Sequence, residues 1–355
     1  MHNKIKNKEE RNMKIGMIDV FYGTPKGHSY INRDLLKIFM DANYEVHIYR
    51  IGHYPLTEDF EAPTTMTNYI DGQNIPENEF KEWVKKIKPD IMFFNEYNQW
   101  WEDTFDKIDY CKKQGIKTVG YLVWEKLDWD KIEQYNSYDV IIAPTKFQQK
   151  LYKRNGVFNS VYTPWGTFLD EYDKIPAPTK KDKIVRFYHC AGSGGFGDRK
   201  NTSAVVEAYK QIQDENTDLI ITHLNSKVFS RKEILSFMKY SDVLINASRW
   251  DTLGLNTIEA NACGIPVIVC DTDPMNELVI NNVNGSTVTG TTSKVDTISC
   301  LSYNVDVDEL AKAMSIYKQP LILNTLKNNS KKIAETKFNW KNNQDYILEV
   351  FKEEK

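Results

Sequence analysis

The chain has 355 residues, 41% of them hydrophobic, and its 46 Lys and Arg against 49 Asp and Glu give a formal net charge of −3. That length leaves room for two hydrophobic cores, the apolar content excludes a wholly disordered chain, and the balanced charge argues against nucleic-acid binding by bulk electrostatics. No apolar run approaches the roughly 20 residues of a membrane-spanning helix. The polar stretch Met1 to Arg11 is no signal peptide, so a cytoplasmic protein is expected. Lys81, Lys85, Lys86 and Lys88 leave peripheral contact with the inner membrane face open beside their reading as a solvated face. The five cysteines include no Cys-x-x-Cys pair, which fits a reducing compartment without structural zinc, and no His, Cys and carboxylate cluster has metal-ligand spacing.

In chain order, Met13 to Val20 reads as a strand and Phe21 to Ser29 as a loop carrying Gly23, Pro25 and Gly27. Ile31 to Ala42 has helical spacing through Leu35, Leu36, Phe39 and Met40, and Tyr44 to Ile51 completes a βαβ unit. Thr57 to Glu79 is polar, with Pro63 and Pro76, and is expected to be a long loop or an inserted element. Phe80 to Ile87 is a predicted helix ended by Pro89; strands follow at Asp90 to Asn95, Lys117 to Trp124 and Asp139 to Pro144, with helices at Thr104 to Gln114, Trp129 to Tyr135 and Lys146 to Arg154. Ser160 to Pro164 closes this half. The strands are continuous apolar runs, the mark of a parallel sheet covered on both faces.

Thr167 to Lys183, with Pro176, Pro178 and several charges, reads as a linker. A second βα series begins with strand Ile184 to Cys190, helix Ser203 to Ile212, strand Leu219 to Thr222 and helix Lys232 to Lys239. Strand Val243 to Ala247, a polar loop to Gly254, helix Leu255 to Cys263 and strand Ile265 to Cys270 continue it. Met275 to Ile280 is a short helix, Ser286 to Asn304 a hairpin or an excursion, and Val307 to Tyr317, Leu321 to Thr336 and Asn342 to Lys352 are helices. The expected fold is therefore α/β, with Rossmann-like doubly wound domains over 1–165 and 166–337.

Chemistry is expected at the loops that leave the carboxyl ends of these strands. Gly192-Ser193-Gly194-Gly195-Phe196-Gly197 holds a literal G-x-G-x-x-G between a strand and a helix. A nicotinamide site also needs an acid at the end of the next strand, which here reads Thr222-His223-Leu224-Asn225. An oxidoreductase is thus the weaker reading, and a diphosphate-binding loop flanked by Arg199 and Lys200 the stronger, with a plain tight turn as the alternative. Asp251 lies in the loop after Val243 to Ala247 and Glu259 in the following helix, where a carboxylate among small apolar residues calls for a partner such as two ribose hydroxyls. His28 and Glu125, both in loops of the first half, are candidates for touching an acceptor.

These residues resemble a known family. Ser248 through Leu255, then Glu259-Ala260-Asn261-Ala262-Cys263-Gly264-Ile265-Pro266-Val267, is similar to the signature of the retaining GT-B glycosyltransferases of family four, the group 1 glycosyl transferases. That signature has two acids eight positions apart, as Asp251 and Glu259 are. Asn276-Glu277-Leu278-Val279, Asn284-Gly285, Pro164-Trp165-Gly166 through Asp170, and Phe338-Asn339-Trp340 extend the resemblance over 160–355; in the first half it is architectural.

The resemblance implies two domains facing a cleft, with the last segment, 338–355, packing back on the first. It implies that Glu259 holds the donor's ribose, and that Asp251 with the Gly254 and Leu255 amides meets the transferred sugar. Arg199 and Lys200, with Gly192, Ser193, Gly194 and Gly195, would hold the diphosphate, and Thr252 is assigned to the donor with its loop. Asp stands where the family has Glu, and Gly195 occupies the place of the family's arginine. A retaining, metal-independent transferase without a cofactor is expected, taking a sugar from a UDP-sugar in preference to a GDP-sugar and passing it to a glycan, a lipid-linked sugar or another hydroxyl acceptor. A non-catalytic sugar- or nucleotide-binding protein on the same scaffold is the alternative.

Overall fold

The computed structural model describes residues 12–19, 22–24, 27–51, 56, 60–69, 74–96, 103–176, 178–180, 182–192, 198–223, 229–294 and 300–352. The chain divides into two compact units, Met1–Gly120 with Ser137–Asp139 and Phe351–Lys355, and Tyr121–Asn136 with Val140–Val350. By contacts, 121–136 and 140–165 therefore group with the second unit, although the sequence places them in the first domain.

The first unit runs β1 (Lys14–Asp19), α1 (Gly27–Asp41), β2 (Glu45–Ile51), β3 (Thr65–Tyr69), α2 (Glu77–Ile87), β4 (Ile91–Asn95), α3 (Thr104–Lys113) and β5 (Lys117–Tyr121). Its strands stand in the order β3-β2-β1-β4-β5, and β1 pairs in parallel with both β2 and β4. Ile15, Met17, Ile48, Phe93, Leu35 and Phe39 are fully buried, each removing side-chain surface worth about 1.5–3 kcal/mol from water. Phe351 packs on Phe39 and Phe93 in this core.

Two elements differ from expectation. Helix α1 begins at Gly27, not Ile31, because its first turn is polar and shows no periodicity; His28 therefore lies in the helix and not in a loop. Within the expected long loop, Thr-Met-Thr-Asn-Tyr forms β3, parallel to β2 from His47↔Thr65 to Ile51↔Tyr69. As the outermost strand it is partly exposed and needs no apolar run, so hydrophobic patterning could not find it.

The second unit runs through 3₁₀ turns at Trp124–Lys126 and Trp129–Lys131, α4 (Ile132–Tyr135), β6 (Val140–Ala143), α5 (Lys146–Arg154), β7 (Ser160–Tyr162) and α6 (Leu169–Asp173). There follow β8 (Val185–Gly192), α7 (Thr202–Ile212), β9 (Thr217–His223), α8 (Arg231–Tyr240), β10 (Val243–Asn246), α9 (Leu255–Ala262), β11 (Val267–Cys270), a 3₁₀ turn at Met275–Glu277, β12 (Gly285–Val288), β13 (Gly290–Lys294) and β14 (Leu301–Val305). The helices α10 (Val307–Ile316), α11 (Pro320–Lys337) and α12 (Trp340–Val350) end it. Strands β12-β11-β10-β8-β9 form a parallel sheet, β13 and β14 an antiparallel hairpin, and β6 pairs in parallel with β7.

Phe187, Val243, Ile245 and Ile268 of the sheet pack with Val205, Leu310, Met314 and Tyr317 of the helices. A side chain at Gly285 would run into the Val267 carbonyl, so only glycine lets β12 lie against β11. The expected linker contains α6, whose Tyr172 is fully buried. Trp340, at the start of α12, packs edge-on against Trp165 at a centroid distance of 4.9 Å.

Candidate active site

Arg199 and Lys200 follow β8 in a turn whose flanking residues Asp198 and Asn201 both adopt left-handed backbone conformations, with φ of 53° and 56°. Strain at two non-glycine residues in so short a segment is the pattern of a held functional turn. Asp198 accepts from the Thr202 amide at 2.9 Å and the Ser203 amide at 3.3 Å, so it occupies the first amides of α7. Gly192 ends β8 beside His223 after a register shift. Ser193, Gly194 and Gly195 lie outside the described residues.

The loop after β10 meets that turn. Lys200 Nζ donates to Asp251 Oδ2 at 2.7 Å and to Ser248 Oγ at 3.2 Å, and Ser248 in turn donates to Asn246 Oδ1 at 2.6 Å. Arg199 Nη1 lies 3.8 Å from Asp251 Oδ2 and donates to the Trp250 carbonyl. The Arg249 amide donates to the Arg199 carbonyl at 2.8 Å, stitching the two segments at the backbone. Burial pushes the Asp251 carboxyl up, but the Lys200 and Arg199 cations and the Gly254 amide outweigh it and hold Asp251 well below the usual carboxylate range.

Gly254 caps α9 with φ 71°, and its amide donates to Asp251 Oδ1 at 3.3 Å, so the loop carboxylate sits at the helix start. An added Cβ would come within 2.8 Å of Leu278 and Met275. The Asp251, Arg199, Lys200, Thr252, Gly254 and Leu255 positions are thus brought to one place. Two cations face one carboxylate there, leaving net positive charge beside the start of α9, which is a setting for a phosphorylated ligand.

Glu259 stands one helical turn further into α9. It is 6% exposed, and Arg231 Nη1, itself on a residue 7% exposed, is 2.5 Å from Glu259 Oε1. Arg231 Nη2 also donates to Tyr172 Oη at 2.9 Å, and Tyr172 Oη shares a hydrogen bond with Thr167 Oγ1 at 2.8 Å. The carboxylate therefore has a protein partner. Arg231 escaped the sequence reading, which began that helix at Lys232; the capping box between Ser230 and Glu233 was the available signal that it starts at Arg231.

Glu125, expected at an acceptor, is 5% exposed and belongs to the second unit by its contacts. Its Oε1 accepts from Thr252 Oγ1 at 2.7 Å, and burial drives its pKa upward. His28 is in the first turn of α1, and its side chain lies outside the described residues. Glu277, in the segment resembling the family's acid-bearing turn, accepts from the Lys146 amide at 3.0 Å and the Phe147 amide at 2.5 Å, holding the start of α5.

A cavity of about 780 Å³ in the first unit is lined by Lys85, Lys88, Lys112 and Lys117 around the amino ends of β4 and β5, the wrong end of a parallel sheet for a cofactor or sugar nucleotide. Lys81 and Lys85 pair with Glu77 and Glu82. Among the described residues no three His, Cys, Asp or Glu converge as a metal site, and no helix is long and apolar enough to cross a membrane.

Residues 223–319 match the family Glycosyl transferases group 1, a segment that spans β10, Asp251, α9 and Glu259. No curated protein matches the sequence. Among solved structures, sucrose-phosphate synthase from Thermosynechococcus elongatus superposes with a TM-score of 0.72 at 18% identity, covering 96% of this chain and 98% of that one. Anabaena HepE in complex with UDP-glucose gives 0.70 at 16% identity, with 96% and 99% covered. A Staphylococcus aureus TarM variant in complex with UDP, fondaparinux and α-GlcNAc-glycerol gives 0.69 at 11% identity, with 96% and 100% covered. The fold is that of the GT-B glycosyltransferases, two Rossmann-like parallel-sheet domains, and its second half carries a group 1 glycosyltransferase segment.

Proposed function

We propose that the protein is a retaining glycosyltransferase that moves a sugar from a UDP-sugar, in preference to a GDP-sugar, to a hydroxyl of a glycan or lipid-linked acceptor. The observation that carries this reading is the convergence of Lys200 and Arg199 on Asp251 directly ahead of the start of α9. The cations would neutralise the donor's diphosphate, the Gly254 and Leu255 amides and Asp251 would meet the transferred sugar, and Glu259 would take the ribose. The sugar's C1–O bond to the diphosphate breaks, and charge building on the departing oxygen is stabilised by Arg199 and Lys200. The acceptor oxygen bonds to C1 from the face so vacated, which retains configuration, and its proton passes to the leaving diphosphate. No metal is called for in this reading.

UDP is named because UDP or UDP-sugars accompany several proteins that share the fold, HepE among them. The test is a melting-temperature screen with UDP, GDP, ADP and their sugars, followed by nuclear magnetic resonance of the product anomer. A ligand that prefers the native state raises the midpoint. Absence of any shift and of any nucleotide release would overturn the proposal, and an inverted anomer would overturn retention. A non-catalytic sugar-nucleotide binder is the second reading, favoured by Asp251 standing where the family has Glu; binding without turnover would support it.

A further inference from the structure

The Asp251–Thr252 segment is held from beneath by three side chains. Trp124 Nε1 donates to the Asp251 carbonyl at 3.2 Å, Gln148 Nε2 donates to the Thr252 carbonyl at 3.3 Å, and Thr252 Oγ1 donates to Glu125 Oε1 at 2.7 Å. The turn Trp124–Lys126 thus touches this loop twice, through neighbouring residues. Glu125 is the unusual member. Its other oxygen, Oε2, is sealed from solvent and has no hydrogen-bond partner among the described residues. A buried carboxylate with so few hydrogen bonds is a costly species, which a carboxylic acid of the same shape avoids.

We propose that Glu125 is a positioning residue for sugar transfer: its carboxyl group holds Thr252, and through that residue it sets the Asp251 carboxylate and the Gly254–Leu255 amides. This rests on the reading of the Asp251 loop as the sugar-binding loop. The charged and titratable groups facing Glu125 are Asp251, Arg199, Tyr152 and Cys300. Burial raises its pKa; the Thr252 hydrogen bond and Arg199 pull it back, Asp251 adds to the rise, and the net direction is upward. Glu125 therefore holds its proton to a higher pH than a free carboxyl group, while Asp251 gives its proton up at a lower one. As pH rises through the raised pKa, a second negative charge appears beside Asp251, while the Thr252 hydroxyl goes on donating to the ionised carboxylate.

The test compares E125Q and E125A with the wild type in UDP-sugar turnover across pH, with UDP affinity measured by calorimetry. Gln keeps the shape and the acceptor oxygen, so E125Q should retain turnover and remove from the pH profile any limb that Glu125 ionisation gives the wild type. E125A should lose about 10- to 100-fold in kcat, the scale of a small displacement at a reacting centre, with UDP affinity unchanged. If E125A does not fold, T252A removes the same link and should lower kcat likewise. Unchanged kcat in E125A or T252A, or an E125Q as impaired as E125A, overturns the proposal while the glycosyltransferase reading stands. A wild type that neither binds nor turns over any sugar nucleotide removes both.

Discussion

Lys200 Nζ and Asp251 Oδ2 are 2.7 Å apart, so the turn after β8 and the loop after β10 are joined through a charge pair at the centre of the site. Replacing Asp251 with Asn leaves Lys200 and Arg199 without their counter-charge. D251N should bind UDP at least as tightly as the wild type, because the two cations face the diphosphate unopposed. Transfer should fall by about 100-fold, the usual cost of one electrostatic partner at a reacting centre. Calorimetry with UDP and turnover with a UDP-sugar check the two halves separately; weaker UDP binding in D251N would contradict the assignment.

The same pair predicts a pH effect on stability. Asp251 has a depressed pKa in the folded state, so its stabilising contribution is present above the unfolded value of about 3.9 and is lost as pH falls through the folded value. Removing Lys200 raises that folded value. K200A should therefore lose less stability than the wild type on acidification below about pH 4, because the folded and unfolded values of Asp251 draw together, and cost on the order of 3 kcal/mol at neutral pH by leaving a largely buried carboxylate poorly compensated. Urea midpoints measured from about pH 7 downward test this, and superimposable pH profiles would refute it.

Glu259 and Arg231 neutralise one another while nearly buried. Truncation of Glu259 to Ala strands a guanidinium and should destabilise the second unit by about 3–5 kcal/mol, so loss of activity in that variant is no evidence for a ribose contact. E259Q is the sharper probe. It should weaken UDP by about 10-fold, or about 1.4 kcal/mol, yet leave the affinity for UDP lacking both ribose hydroxyls unchanged. Equal losses for both ligands would confine Glu259 to a structural ion pair.

Gly285 and Gly254 are irreplaceable for different reasons. At Gly285 the obstacle is the Val267 backbone, which cannot move without unzipping β11 from β12, so G285A should cost more than about 2 kcal/mol and lower the melting temperature by several degrees. At Gly254 the obstacles are the flexible ends of Leu278 and Met275, together with a left-handed φ of 71°. G254A should cost about 1–2 kcal/mol and reduce turnover more than stability, because it disturbs the start of α9. Thermal scans beside turnover assays separate the two patterns; the reverse ranking of melting temperatures would sink this account.

The βα alternation and the acids at Asp251 and Glu259 were legible because buried parallel strands are continuous apolar runs and because the signature sits in one contiguous segment. What stayed hidden depends on distant parts of the chain. Arg231 reaches Glu259 from another helix, Glu125 reaches Thr252 across 127 positions, and Glu277 reaches the amides of Lys146 and Phe147 from more than a hundred residues away. No spacing rule connects such pairs. Strand β3 was invisible for a different reason: a half-exposed outer strand is specified by backbone pairing with β2, and its polar side chains carry no pattern.

Asp198 keeps the leading amides of α7 for itself. A diphosphate arriving beside Arg199 and Lys200 would then be gripped by side-chain ammonium and guanidinium groups, with less help from the fixed peptide dipoles of that helix. Attraction between exposed ions fades over about 8 Å at physiological ionic strength, whereas hydrogen bonds from backbone donors hardly respond to added electrolyte. Arg199 and Lys200 lie between these limits, with 31% and 14% of their side-chain surface exposed, so donor affinity should fall between dilute buffer and molar potassium chloride, but less than at a fully exposed site.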